Sequence, residues 1–324
     1  MIGLRRFVEA MARAGYGDRV TADVPLAGYT SFGVGGSADL LAVAQRVEDL
    51  VSWVRLAREA EVACLVLGSG TNVLVSDRGV RGLVIINECR DHQISDEGLL
   101  RAESGCLFCE LAGETVKAGW AGLEWAVGIP GTLGGAVVGN AGAYGGYVGD
   151  ILVEAVLLRA DGRVERAPRE ALHYGYRTSA LKREDPAKPR TIVLEARLAL
   201  RPGDADELRE RARAVTEQRL AHTPRGACAG STFMRTEHYP AGFLIEQAGL
   251  KGYRIGGAQV SERHANFIMN TGSATAEDIA RLILYVQERV WRDLAQRLEP
   301  EIQLIGDWPG DGLRVEAGHP ERTS

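Results

Sequence analysis

The 324 residues carry 38 Lys and Arg against 43 Asp and Glu, a net charge of −5, which supplies no basic field for nucleic acid. Hydrophobic residues at 45% and charged residues at 25% exclude a disordered chain and leave room for more than one core. No window reaches the roughly 18 apolar residues of a membrane span, and glycine, at 40 residues, is the compositional outlier.

The N-terminal segment reads as an amphipathic helix with Leu4, Phe7, Val8 and Met11 on one side. Glu9 and Arg13 interrupt any secretory apolar stretch, so a cytoplasmic location is expected. Residues 40–43 form a strand pattern, and residues 47–60 follow with Leu50, Val51, Val54 and Ala57 at helical spacing. The continuous apolar run 62–67 predicts a buried strand. Val73–Val75 and residues 83–86 predict two more, separated by a turn at 76–79. A second region, 91–202, is strand-rich and ends with the alternating run 191–200 and a turn at 201–204. The charged segment 182–190, with Pro186 and Pro189, is expected to be an exposed loop. The third region, 203–306, opens with a helix capped by Asp204 and running through Leu208, Ala212, Val215 and Leu220. A short helix at 241–248 stops at Gly249, and strands follow at 259–260 and 266–269. Thr275, Ala276, Glu277 and Asp278 form a capping box for a long helix set by Ile279, Leu282, Ile283, Val286 and Val290. A last strand, 302–305, precedes a polar tail, 307–324, expected to be mobile after Gly310.

The cysteines Cys64, Cys89, Cys106, Cys109 and Cys228 are too few and scattered for a disulfide scaffold. Cys106 and Cys109 form a lone Cys-x-x-Cys pair with no second pair and no histidine at ligand spacing. Reduced structural thiols and no metal are expected, a redox or zinc role being the alternative.

Two glycine-rich loops carry the chemistry. After the strand 62–67 come Gly68, Ser69, Gly70, Thr71 and Asn72. A strand followed by Gly-x-Gly suits a loop whose backbone N–H groups approach a phosphate. The Rossmann fingerprint needs a third glycine and then a helix, and here the chain continues as strand and turn. By itself this loop reads equally as a tight hairpin. The second loop, Gly128, Ile129, Pro130, Gly131, Thr132, Leu133, Gly134, Gly135 and Ala136, leads to Gly139, Asn140, Ala141, Gly142, Ala143, Tyr144 and Gly145. So little side-chain volume is hard to fill with protein alone. It points to backbone packed directly against a large flat or phosphorylated ligand, in preference to a series of bulges and turns.

Residues 67–77 and 124–136 resemble the FAD-binding segments of the UDP-N-acetylenolpyruvoylglucosamine reductase family. Residues 31–39 resemble its opening segment. The likeness continues through Tyr176, Arg177 and Ser179, through Gly230, Ser231 and Phe233, and through 256–270, over roughly residues 20–306. The spacing resembles the shorter branch, without the tyrosine-loop insertion. The resemblance implies an α+β fold: an FAD-binding domain of the vanillyl-alcohol-oxidase / p-cresol-methylhydroxylase type in two subdomains, 1–90 and 91–202. An α/β substrate-binding domain, 203–306, and the tail, 307–324, would follow. It implies non-covalent FAD held by Gly68, Ser69, Gly70, Thr71, Asn72, Gly128, Ile129, Pro130, Gly131, Thr132, Gly134, Gly135, Asn140, Ala141, Gly142 and Ala143. It also implies NADPH as hydride donor and a nucleotide-sugar substrate. The residues say nothing of assembly, and a monomer is the expected state.

The implied reaction reduces UDP-N-acetylglucosamine enolpyruvate to UDP-N-acetylmuramate. Hydride reaches the terminal alkene carbon, and charge develops on an enolate-like carbanion conjugated with the carboxylate. Fixed donors must stabilise that charge and an acid must quench it. By motif match Arg177 is the cationic partner, whose guanidinium grips a carboxylate with two parallel hydrogen bonds. Ser231 matches the proton donor, and Glu301 the family's carboxylate near the C-terminus, with Glu299 a nearby rival. Met234, Arg235 and Thr236 depart from the family's usual basic residue, Asn and Pro, which puts one nucleotide-sugar contact in doubt. Competing readings are an FAD-dependent sugar or lactone oxidase and a non-catalytic flavin-binding protein. Many such oxidases tether FAD through a histidine in the first loop, and none lies between Met1 and Arg90. Tyr144, Gln259 and His264 either line the site or pack near it, with a structural role expected for His264.

Overall fold

A computed structural model describes residues 2–186 and 188–309, so the tail expected to be mobile after Gly310 lies outside the described residues. The chain divides into two compact, interleaved units. One comprises Met1–Val24, Ala38–Thr71 and Arg81–His222; the other comprises Pro25–Ser37, Asn72–Val80 and Thr223–Ser324.

The first unit has two hydrophobic cores. In one, helices α1 (Ile2–Arg13) and α2 (Val47–Glu59) cover a four-stranded sheet. Its order is Val20–Pro25, Ser37–Ala44, Val80–Asn87, Cys64–Leu67, the last two strands being parallel. Phe7, Leu50, Trp53, Leu83 and Ile85 are fully buried there. Val8, expected on the buried side of α1, is 40% exposed, because the face through Phe7 and Met11 already fills the contact. The strand expected from 62 begins at Cys64, and Cys64, Leu65 and Val66 are half-buried. Val62 N–H donates to Ala57 O at 2.8 Å and Glu61 turns left-handed at φ 58°, so those residues terminate α2 instead.

The other core of this unit lies on a five-stranded antiparallel sheet of order Val164–Pro168, Leu152–Leu158, Ile192–Ala199, Leu99–Glu103, His92–Ile94. Helices α3 (Phe108–Lys117), α4 (Leu133–Gly139) and α5 (Val148–Ile151) pack on it through Phe108, Leu133, Val137 and Val148. The residues Arg201–Pro202, expected as turn, pair instead with Trp120–Ala121. Helix α6 (Ala205–His222) is capped as expected, Asp204 Oδ1 accepting from Asp206 N at 2.9 Å and Glu207 N at 3.0 Å. It is counted with the first unit. Leu208 is its one buried residue, tucked against Gly203 and Ala121, and Leu220 is 61% exposed.

The second unit contains helices α7 (Ala241–Gln247) and α8 (Ala276–Leu294). It also has an antiparallel sheet of Arg254–Ile255, Ala258–Val260 and Ile268–Asn270, and a parallel pair, Gln303–Ile305 with Val73–Val75. Ile279, Leu282, Ile283, Val286 and Val290 of α8 are all fully buried, with Phe32, Leu74 and Phe233 in the same core. The strand expected at 266–269 starts at Ile268, because Asn266 is turned aside to pair with Phe233.

An α-helix leaves its first four N–H groups without intrahelical partners, and α8 satisfies all four. Asp77 accepts from Ala276 N and Glu277 N, each at 2.9 Å. Thr275 Oγ1 accepts from Asp278 N at 3.0 Å, and Asp278 Oδ2 accepts from Thr275 N at 3.2 Å. The expected capping box is present, and Asp77 completes it.

Candidate active site

The two glycine-rich loops of the first unit touch. A Cβ built on Gly68 would stand 2.4 Å from Thr132 Oγ1, and one on Gly131 would stand 2.9 Å from Thr71 Oγ1. Gly131 has φ +114°, a conformation that excludes ordinary side chains. The paired loops leave Ser69, Gly128, Pro130 and Gly135 exposed, while Thr132 is buried between them. They therefore present backbone rather than bulk to a ligand, which fits an extended, phosphorylated cofactor bound through main-chain N–H groups. Asn72, the last expected residue of the first loop, is counted with the second unit.

Part of the glycine density has another cause. Residues 133–139 form helix α4, a helix missed in the sequence, and residues 142–147 form a hairpin. Leu133 N and Gly134 N of α4 donate to Cys106 O and Ser104 O at 2.9 and 2.8 Å. Tyr147, Trp125 and Tyr174 press onto Gly142, Gly146 and Gly149, where a Cβ would approach within 2.2, 2.4 and 2.8 Å. Protein rings fill this space, so the argument from missing side-chain volume holds for the paired loops and not for residues 142–149. Ile129, Ala141 and Ala143 pack against the core of the same sheet, half-buried.

Arg177 occupies the tip of a tight turn in which Gly175 and Thr178 exchange backbone hydrogen bonds of 3.0 and 3.3 Å. Its φ of 55° is left-handed. Three side-chain bonds tie this turn to the end of α4, and a fourth ties Asn140 to α5. Tyr174 Oη donates to Val137 O at 3.0 Å, and Ser179 Oγ to Val138 O at 2.6 Å. Asn140 Nδ2 donates to Gly175 O, and Asn140 Oδ1 accepts from Gly149 N, each at 2.9 Å. Asn140 is only 6% exposed. Its amide braces the Arg177 turn. Lys182 Nζ donates to Arg177 O at 2.9 Å, and the guanidinium carbon lies 5.9 Å from the Tyr176 ring centroid.

Ser231 and Glu301 lie on or next to adjacent backbone segments of the second unit. Glu301 N donates to Thr232 O at 2.8 Å, and Met234 N donates to Glu299 O at 2.9 Å, so residues 232–234 and 299–301 run side by side. Glu301 is half-buried and Glu299 exposed. Asn72 joins them: its Nδ2 donates to Glu301 O at 3.2 Å, and its carbonyl accepts from Gln303 N at 3.0 Å. Arg177 lies in the first unit, Ser231 and Glu301 in the second.

His264 Nδ1 accepts from Asn266 N at 3.2 Å, a structural contact. Gln259 Nε2 donates to Gly252 O at 3.3 Å and its Oε1 accepts from Arg254 at 3.1 Å. Tyr144 is 45% exposed. Burial pushes the Cys64, Cys89 and Cys106 thiols up to about 12, so they stay protonated and poorly nucleophilic at neutral pH. Among the described residues, no group of three or more His, Cys, Asp or Glu could hold a metal ion. No helix of the described residues is long and apolar enough to cross a membrane.

Comparison with known proteins places the chain in a family. The family model of the UDP-N-acetylenolpyruvoylglucosamine reductase C-terminal domain matches residues 221–305, and that of an FAD binding domain matches residues 38–168. The chain is 46% identical over 287 residues to UDP-N-acetylenolpyruvoylglucosamine reductase of Rubrobacter xylanophilus, covering 88% of this chain and 95% of that protein. It is 44% identical over 293 residues to the enzyme of that name from Synechococcus sp. (strain JA-3-3Ab), covering 90% and 92%. The crystal structure of UDP-N-acetylenolpyruvylglucosamine reductase from Thermus caldophilus superposes with a TM-score of 0.74 at 36% identity, covering 90% of this chain and 99% of that one. The chain therefore belongs to the UDP-N-acetylenolpyruvoylglucosamine reductase family of FAD-dependent oxidoreductases, with the α+β, FAD-binding fold that the resemblance implied.

Proposed function

We propose that this protein reduces UDP-N-acetylglucosamine enolpyruvate to UDP-N-acetylmuramate with NADPH as hydride donor, as a cytoplasmic step in peptidoglycan precursor synthesis, and that it follows the shorter-branch pattern. Bound non-covalently at the paired loops, FAD supplies hydride transfer from NADPH to the terminal alkene carbon. Gly68, Ser69, Gly70, Thr71, Gly128, Gly131 and Thr132 bind and orient it through backbone. In this reading α4 and Asn140 act one step removed, bracing the turn of Arg177. Arg177 binds the substrate carboxylate, and its fixed charge offsets the negative charge that develops there. The Ser231 hydroxyl gives a proton to the carbon bearing the carboxylate, and Glu301 is the catalytic carboxylate on the adjacent segment. Residues 203–306 serve as the substrate-binding part.

The observation that carries the reading is the backbone bond from Glu301 N to Thr232 O at 2.8 Å, which sets the hydroxyl and the carboxylate of the two motif positions on adjacent segments. The test is a pair of anaerobic half-reactions. NADPH should bleach the yellow protein, and the enolpyruvyl sugar should restore its colour. Recovery with oxygen alone would mark an oxidase instead. Ser231→Ala should leave bleaching by NADPH within about twofold and slow recovery by the sugar about 10²–10⁴-fold, the usual worth of a positioned general acid. Equal losses in both halves would remove Ser231 from proton transfer.

A further inference from the structure

Ser231 precedes a segment clamped on both sides. One side is the backbone of residues 299–301. The other is a single residue, Asn266. Its carbonyl accepts from Thr232 N at 2.8 Å, its Oδ1 accepts from Phe233 N at 3.0 Å, and its Nδ2 donates to Phe233 O at 2.9 Å. The side-chain amide thus offers Phe233 the donor and acceptor that a neighbouring strand would offer, from a residue only 7% exposed.

The peptide between Ser231 and Thr232 is held by Asn266 O at its N–H, while Gly230 on the other side turns at φ +75°. One end of Ser231 is therefore fixed and the other rests on the most permissive residue. Asn266 is itself held. Its N–H donates to His264 Nδ1, and the His264 ring packs edge-on against Phe267, centroids 5.0 Å apart. Helix α7 closes over both: a Cβ on Gly242 would lie 3.0 Å from His264 Cε1 and 3.5 Å from Asn266 Cβ.

We propose that Asn266, braced by His264, is a positioning residue that aims the Ser231 hydroxyl at the carbon to be protonated. The inference rests on the proposed role of Ser231. Asn266 touches neither substrate nor cofactor in this scheme; it acts through the segment it pairs with. Asn266→Asp keeps the shape and the acceptor for Phe233 N but turns a carboxylate oxygen on Phe233 O. Asn266→Ala removes both side-chain bonds.

The test follows the two half-reactions of the FAD-loaded protein by stopped flow, for wild type, Ser231→Ala, Asn266→Ala and Asn266→Asp. Both Asn266 variants should reduce with NADPH within about twofold of wild type and bind the enolpyruvyl sugar with nearly unchanged affinity. Reoxidation by the sugar should slow about 10²-fold, the scale of a misplacement near 1 Å. Its solvent deuterium isotope effect should rise as proton transfer becomes limiting. Equal slowing of both halves, or loss of FAD or fold in both variants, would make Asn266 mere scaffold and overturn the inference, as would reoxidation within threefold of wild type. If Ser231→Ala itself reoxidises normally, the proposed function of Ser231 fails first, and the inference falls with it.

Discussion

Gly68→Ala tests the contact between the two loops on its own. Gly68 does not have a left-handed φ, so an added methyl group brings steric conflict without backbone strain. Its Cβ would lie 2.4 Å from Thr132 Oγ1, 2.9 Å from Thr132 Cγ2 and 3.2 Å from Thr132 Cβ. Favourable contacts lie at about 3.5–4 Å, so the loops must separate by roughly 1 Å. Thr132 is buried and cannot swing aside into solvent. Overpacking of this kind costs about 1–3 kcal/mol. With FAD held at the paired loops as proposed, that cost weakens binding about 5- to 150-fold, at about 1.4 kcal/mol per tenfold. Flavin fluorescence titration of deflavinated protein measures it. In the double variant Gly68→Ala, Thr132→Ala the two nearest atoms are gone, and affinity should return to within a few fold of Thr132→Ala alone, a coupling of about 1–3 kcal/mol. Unchanged affinity in Gly68→Ala, or no rescue in the double variant, would refute the paired-loop cradle.

Two further predictions concern groups that act at a distance from the chemistry. Asp77→Ala strips the acceptors from Ala276 N, which is buried, and from Glu277 N, which is exposed. The expected loss is about 1–3 kcal/mol, on the scale of a lost cap and an unsatisfied buried donor, read by denaturant titration; a loss below about 0.5 kcal/mol would show that water replaces the carboxylate. Asn140→Gly tolerates the left-handed φ of 45° while deleting the amide. Released from Gly175 O, the Arg177 turn should bind the enolpyruvyl sugar about tenfold more weakly, one hydrogen bond's worth, with FAD retained. Unchanged sugar affinity would mean that Tyr174 and Ser179 hold the turn by themselves.

Much of this was legible along the chain because it depends on neighbours in sequence. The capping box of Thr275 and Asp278, the buried stripe of α8 and the Asp204 cap are all local, set by helical period and by side chains that reach their own backbone. The motifs carrying Arg177, Ser231 and Glu301 were visible as residue types in order. Their surroundings were not. Asp77 caps a helix about 200 residues away, Asn266 stands in for a strand beside Phe233, and Asn140 spends its amide on Gly175 rather than facing outward. Helix α4 is only seven residues long and three of them are glycine, so its local sequence argues weakly for a helix, and α6 joins the first unit through the buried Leu208 together with side chains such as Arg211, paired with Glu124. Periodicity and capping are encoded within a few residues, so the sequence by itself determined the long amphipathic helices and their capped ends. Which polar group answers which was decided only by tertiary structure, since a buried donor must find a partner wherever the fold brings one.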